Sequence, residues 1–139
     1  MSSDYTKLFL AARAGNEAKV KRLLKAKADV NAADTLRGTS GFTALQAACT
    51  RSHVGVVRLL LKAKASVNQA NSDGISALMM ATSEGHAAVV QLLIAAKAFT
   101  TLRNSGDEGW TALDCARRKG HAACVALLEP VTPAQPSHQ

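Results

Sequence analysis

The sequence predicts an all-α solenoid of four stacked helix–turn–helix units. Two observations carry the prediction: a six-residue frame recurs four times, and an apolar helix pattern follows each recurrence at a similar distance. Composition sets the scale. With 139 residues, 47% hydrophobic, 19% charged and only 4% aromatic, the chain fits one compact soluble domain and leaves no room for a second.

The frame is clearest in Thr43–Ala48, Ser76–Ala81 and Thr111–Ala116, each opening on Thr or Ser with Leu third and Ala sixth; Thr6–Ala11 is a weaker fourth. The leucines at 8, 45, 78 and 113 step by 37, 33 and 35 residues, a base period of 33. Such periods mark repeat architectures. Ten residues after the opening Thr or Ser stands Asn16, His53, His86 or His121, preceded by Gly in three units and by Ser52 in the other. The second helix of each unit then shows apolar residues at helical spacing, in Val20–Leu24, Val57–Leu61, Val90–Ile94 and Val125–Leu128. The first helices are Ala-rich, which lets neighbours approach closely, and the second carry the larger Leu and Val that fill the space between layers. Neither buries its face alone. Stacking makes a continuous core and requires more polar outer faces at the ends, as Lys19, Lys21 and Arg22 in the first unit and Glu129–Pro130 in the last supply.

These residues resemble ankyrin repeats over residues 5–129, in units of about 5–36, 37–70, 71–103 and 104–129 after a lead of residues 1–4. The resemblance rests on the period, the T-x-L-x-x-A helix start, the Gly-His turn, and Ala28-Asp29-Val30-Asn31 with Ala65-Ser66-Val67-Asn68 after the second helix. It implies helix, turn, helix and then a hairpin-like loop projecting sideways, with binding on the concave face formed by those loops and the first helices. The Pro usual after the Thr is replaced by Lys7, Ala44, Ala77 and Ala112, which removes a pre-set helical φ but breaks nothing. The loop from Asn31 to Gly41 is four residues longer than that from Asn68 to Gly74, and the loop from Thr101 to Gly109 is two longer. Thr35–Ser40 and Asn104–Glu108 are therefore candidate fingers flanking a partner, or else tolerated insertions, which cost little at a surface.

Immediately before each frame stand Tyr5, Phe42, Ile75 and Trp110, at positions that face the groove in the family. A solvent-facing loop residue has no folding reason to be Trp or Phe, whereas a binding groove gains most from rigid aromatic anchors. The competing reading is that each side chain tucks under its own hairpin. Beside this column run Arg13, Thr50 with Arg51, Ser83 with Glu84, and Arg118 with Lys119, making the groove basic at both ends. A partner segment with apolar anchors and acidic flanks suits it, the charged rim acting more on association rate than on affinity.

A second column departs from the family. Where a left-handed Gly usually closes the second helix, this chain has Lys27, Lys64 and Lys97, extended by Lys25 and Lys62. A non-Gly residue there costs about 1 kcal/mol. The column reads either as a solvated face inherited through repeat duplication or as an electrostatic contact with an acidic protein, nucleic acid or membrane surface.

Catalytic readings are weak. His53, His86 and His121 recur within the frame, which assigns them to hydrogen bonds linking a turn to adjacent backbone. His121 and Cys124 are two potential ligands on one helix, too few for a zinc site. Met79 and Met80 fit helix packing, Cys115 beside Asp114 lacks a paired base, and there is no phosphate-cradling glycine motif. The sequence therefore predicts a non-enzymatic chain with no cofactor and no metal. Its three cysteines lack CxxC spacing and lie in apolar helical stretches, which predicts free buried thiols in a reducing compartment. Asn31, with Leu23, Asp29 and Val30, resembles the setting of asparagines that are β-hydroxylated in ankyrin repeats, and Asn68 is a weaker match; an ordinary loop Asn bonded to its own backbone is the alternative.

The N-terminal residues show no basic stretch leading into an apolar one, and no window approaches about 18 uninterrupted apolar residues; the expected location is cytoplasmic. Residues 130–139 hold all three prolines and no charged side chain, and read as a disordered tail. The net charge of +7 favours acidic partners but is too diffuse to name one. The expected role is protein binding in the groove by a monomer, nucleic acid ranking below protein. The alternative is a basic adaptor or structural subunit docked on an acidic surface or inside a larger complex.

Overall fold

Each unit starts where a hydroxyl side chain can hold a free helix end. Thr43 and Thr111 accept the backbone N–H of Gln46 and Asp114, whose side chains accept the cap's own N–H in return, so α3 (Ala44–Thr50) and α7 (Ala112–Lys119) begin with complete capping boxes. Ser76 caps α5 (Ala77–Ser83) through the Met79 N–H, without the return bond that Met cannot make. The structure is a computed structural model describing residues 4–33, 41–106 and 109–133, the side chains of 4–6 excepted.

The first unit differs. Phe42, Ile75 and Trp110 each follow a glycine at positive φ (Gly41 77°, Gly74 74°, Gly109 61°) that turns the chain into the cap. The corresponding residue is Asp4, with no such turn, and α1 runs unbroken over Asp4–Ala14. Tyr5 is therefore helical and is not the loop residue the frame predicts.

The second helices are α2 (Glu17–Lys25), α4 (Val54–Lys62), α6 (Ala87–Ala95) and α8 (Ala122–Leu128). Helices α1, α3, α5 and α7 pack side by side as one layer, with α2, α4, α6 and α8 as the other. The first layer is close-set through buried Ala12, Ala48, Ala81 and Ala116, while Leu45, Leu60, Leu78, Leu93 and Leu128 fill the interior with Val57 and Val90. Each fully buried Leu contributes about 1.5–3 kcal/mol over its exposed state. Among the described residues no helix is long and apolar enough to cross a membrane.

Three second helices end alike. Lys27, Lys64 and Lys97 adopt φ of 68°, 70° and 68°, and each donates its N–H to Leu24, Leu61 or Ile94, while the next residue, Ala28, Ala65 or Ala98, reaches Leu23, Leu60 or Leu93. These paired bonds satisfy the carbonyls a helix end otherwise leaves open. The lysines thus occupy the left-handed place their alignment predicts. Downstream of α8 the chain makes a 3₁₀ turn over Glu129–Val131, and the Val131 carbonyl accepts the Thr100 hydroxyl at 3.1 Å. The start of the Pro-rich segment therefore folds back onto the stack; residues 134–139 lie outside the described residues.

Candidate functional site

The groove side is built from the first helices and the hairpin bases. In two hairpins an Asn organises the turn. Asn71 accepts the N–H groups of Asp73 and Ile75, both at 2.9 Å, and its own N–H reaches the Ile75 carbonyl. Asn104 does the same with Gly106, Trp110 and the Trp110 carbonyl. Ser105 N–H then donates to the Asp73 carbonyl at 2.8 Å, so the root of the second longer loop leans on the preceding hairpin. Asp107 and Glu108, and the whole of Thr35–Ser40, lie outside the described residues.

The three column residues after turning glycines are neither fully exposed nor fully buried. Phe42, Ile75 and Trp110 are half-buried, and Ile75 packs against the core. The Arg118 guanidinium lies 5.0 Å from the Trp110 ring centre and Arg13 lies 6.0 Å from the Phe9 ring, both within cation–π range. Arg13, Arg51, Glu84, Arg118 and Lys119 are exposed.

Between the second, third and fourth units a depression of about 240 Å³ opens on this face. It brings together Thr50, Ile75, Ser83 and Glu84 from the sequence-predicted set and adds Met79, Met80, Asn104 and Cys115. Phe42, Trp110 and the flanking Arg and Lys side chains stand outside it. The methionines are core residues with one edge on the groove, 2% and 8% exposed. The Thr50 hydroxyl donates to the Gln46 carbonyl at 2.9 Å and lies 3.5 Å from Met80 Sδ, which fixes one wall. Burial pushes the Cys115 thiol above its ordinary pKa, the Asp114 carboxylate adds to the rise, and Lys119 and Arg118 oppose it. The thiol is thus kept neutral, the opposite of an activated nucleophile. Among the described residues no three His, Cys, Asp or Glu side chains converge as a metal site would require.

The recurring histidines connect units. His53 Nε2 lies 2.9 Å from the Arg13 carbonyl, His86 Nε2 2.9 Å from that of Thr50 and His121 Nε2 3.0 Å from that of Ser83. A carbonyl only accepts, so Nε2 carries the proton in each case. Each ring reaches the backbone of the preceding unit, at the groove-side end of its first helix. Asn31 and Asn68 make a parallel ladder: their Oδ1 atoms accept the N–H groups of Ser66 and Phe99 in the following unit, both at 2.6 Å. On the opposite layer Lys27, Lys64 and Lys97 are exposed at the helix ends.

Comparison with known proteins agrees with this architecture. A family model described as ankyrin repeats, in three copies, matches residues 2–71 and 65–134. No curated protein matches the chain. Ankyrin repeats are in general non-catalytic modules for protein–protein interaction, and the stacked helix pairs, their hairpin bases and the family match together make this chain a member of the ankyrin repeat family.

Proposed function

We propose that the chain binds a partner protein across the face formed by its first helices and hairpin bases. The observation that carries this reading is the depression walled by Thr50, Ile75, Met80, Ser83 and Glu84, where apolar surface and a few polar groups converge. Phe42 and Trp110 flank it as half-buried rings that offer contact area at low entropic cost, with Arg118 held against Trp110. Arg13, Arg51, Arg118 and Lys119 favour a segment with acidic flanks. The test compares proteins retained from a native extract by the wild type, by Phe42→Ala/Trp110→Ala and by Ser83→Arg, which fills the depression. The expected result is a protein held by the wild type and lost by both variants, with circular dichroism unchanged. Equal retention by all three overturns the reading.

The conformation of Lys27, Lys64 and Lys97 favours a second reading, in which the chain is an adaptor or complex subunit docked on an acidic surface. Three charged residues occupy positions where Gly costs less, and charge reversal at all three would then abolish retention while the groove variants retain it. Asn31 and Asn68 are the candidate hydroxylation sites, checked by a one-oxygen mass increment on protein from its native host.

A further inference from the structure

The face away from the hairpins carries a groove of its own. It runs between α2 and α4 over about 670 Å³, floored by Leu24, Leu59 and Ala63 and walled by Lys21, Arg22, Lys25 and Lys62. The four cationic residues are exposed, the two leucines half-buried. No carboxylate lines it. The one acidic residue of α2, Glu17, is directed elsewhere: its carboxylate lies over Gly55 in the first turn of α4, where a Cβ would collide with it. Among the described residues Lys21, Arg22, Lys25 and Lys62 have no ion-pair partner.

Capping the end of the stack requires polarity, but polarity alone does not call for one sign of charge on both walls of an apolar trough shared by two units. The next helix in the layer, α6, has no charged residue at all. Charged walls within the second helices are therefore confined to α2 and α4, Lys97 standing beyond the end of α6.

We propose that the α2–α4 groove docks an acidic amphipathic helix of a partner protein, its apolar stripe on Leu24 and Leu59 and its flanking carboxylates on Lys21, Arg22, Lys25 and Lys62. Charge complementarity and shape select this occupant. Two parallel helices with an apolar floor form the seat that a third helix fills. A bilayer surface does not enter a trough, and nucleic acid would leave the leucines uncovered and find no aromatic ring in the lining for its bases. The site lies on the opposite layer from the proposed hairpin-side groove and stands independently of it.

The test is titration of the isotope-labelled full chain with a synthetic helical peptide bearing a leucine stripe flanked by glutamates, followed by amide NMR at low salt. Parallel arms use the Glu→Gln peptide, anionic phospholipid vesicles, and Lys25→Glu/Lys62→Glu protein, whose exposed substitutions are checked by circular dichroism. The expected result is saturable shifts in α2 and α4, absent with the Gln peptide, and affinity lower by about tenfold or more in the variant, as reversal of two charge contacts implies. Shifts confined to the hairpin-side face, equal affinity for the variant, no saturation, or vesicles shifting the same amides more strongly than the peptide each overturn the proposal.

Discussion

The imidazole of His86 donates from Nε2 to the carbonyl oxygen of Thr50, 2.9 Å away and 36 residues earlier in the chain. It ties the entrance of one second helix to the last turn of the first helix before it. Replacing His86 with Ala leaves that carbonyl to water and removes the ring from the inter-unit seam. The expected loss is about 1 kcal/mol, read from urea unfolding. His53→Ala and His121→Ala have the same cause and should fall in the same range.

Backbone strain at Lys64 is removable. Lys64→Gly relieves a left-handed conformation worth about 1 kcal/mol, less the added freedom of the unfolded chain. Thermal unfolding is expected to shift upward, and Lys27→Gly and Lys97→Gly should behave alike. A midpoint unchanged in all three would show that the paired bonds closing these helices hold lysine without strain.

Two equivalent glycines are expected to differ. A Cβ at Gly85 would stand 2.8 Å from His121 Nδ1, whereas one at Gly120 meets nothing within 4 Å. Both have positive φ, 76° and 73°. Gly120→Ala therefore costs only the conformational strain, about 1 kcal/mol, while Gly85→Ala also displaces the His121 ring and costs more. Parallel denaturation curves read the gap directly.

Asn71 is 8% exposed and accepts two backbone N–H groups. Asn71→Ala strands both and should cost about 1–3 kcal/mol. Asn71→Asp keeps a carboxylate oxygen where Oδ1 accepts both N–H groups and should recover most of the loss, a contrast that volume alone does not produce.

The thiols give a pH signature. Burial pushes Cys49 up to about 12 from its ordinary 9.0. The folded state therefore holds its proton where the unfolded state has lost it, so stability is full below the unfolded value and falls as pH rises through the interval between the two. The slope from this group approaches about 1.4 kcal/mol per pH unit. Cys49→Ala should flatten that fall after the common titration of lysine and tyrosine is subtracted. At pH 8, half-exposed Cys115 should be alkylated before buried Cys49 and Cys124.

Helix pairs, their order and the left-handed lysines were legible because each is written in local spacing. Thr43, Leu45 and Ala48 say which way a helix faces whatever its neighbours are. What escaped depends on the offset between units. The His86 ring was expected to serve adjacent backbone, yet its acceptor lies in the preceding unit, fixed by how far that unit is displaced. Asn71 and Asn104 stand one base period of 33 residues apart, but spacing alone does not say what their side chains hold, because hairpin geometry aims them. Tyr5 matched the frame by position but lacks the turning glycine before it. Phe42, Ile75 and Trp110 follow turning glycines, but spacing does not describe their half-burial. The α2–α4 groove was half visible, as a basic run in α2, and became a trough only when Lys62 and Leu59 came alongside.

The histidine and asparagine ladders join nearest units. Pulled from its ends, such a chain bears load through its seams in series, like links rather than a bundle of parallel fibres. Tension then selects the weakest seam first, and the chain lengthens in increments of one repeat, each freeing about 110 Å of extended backbone.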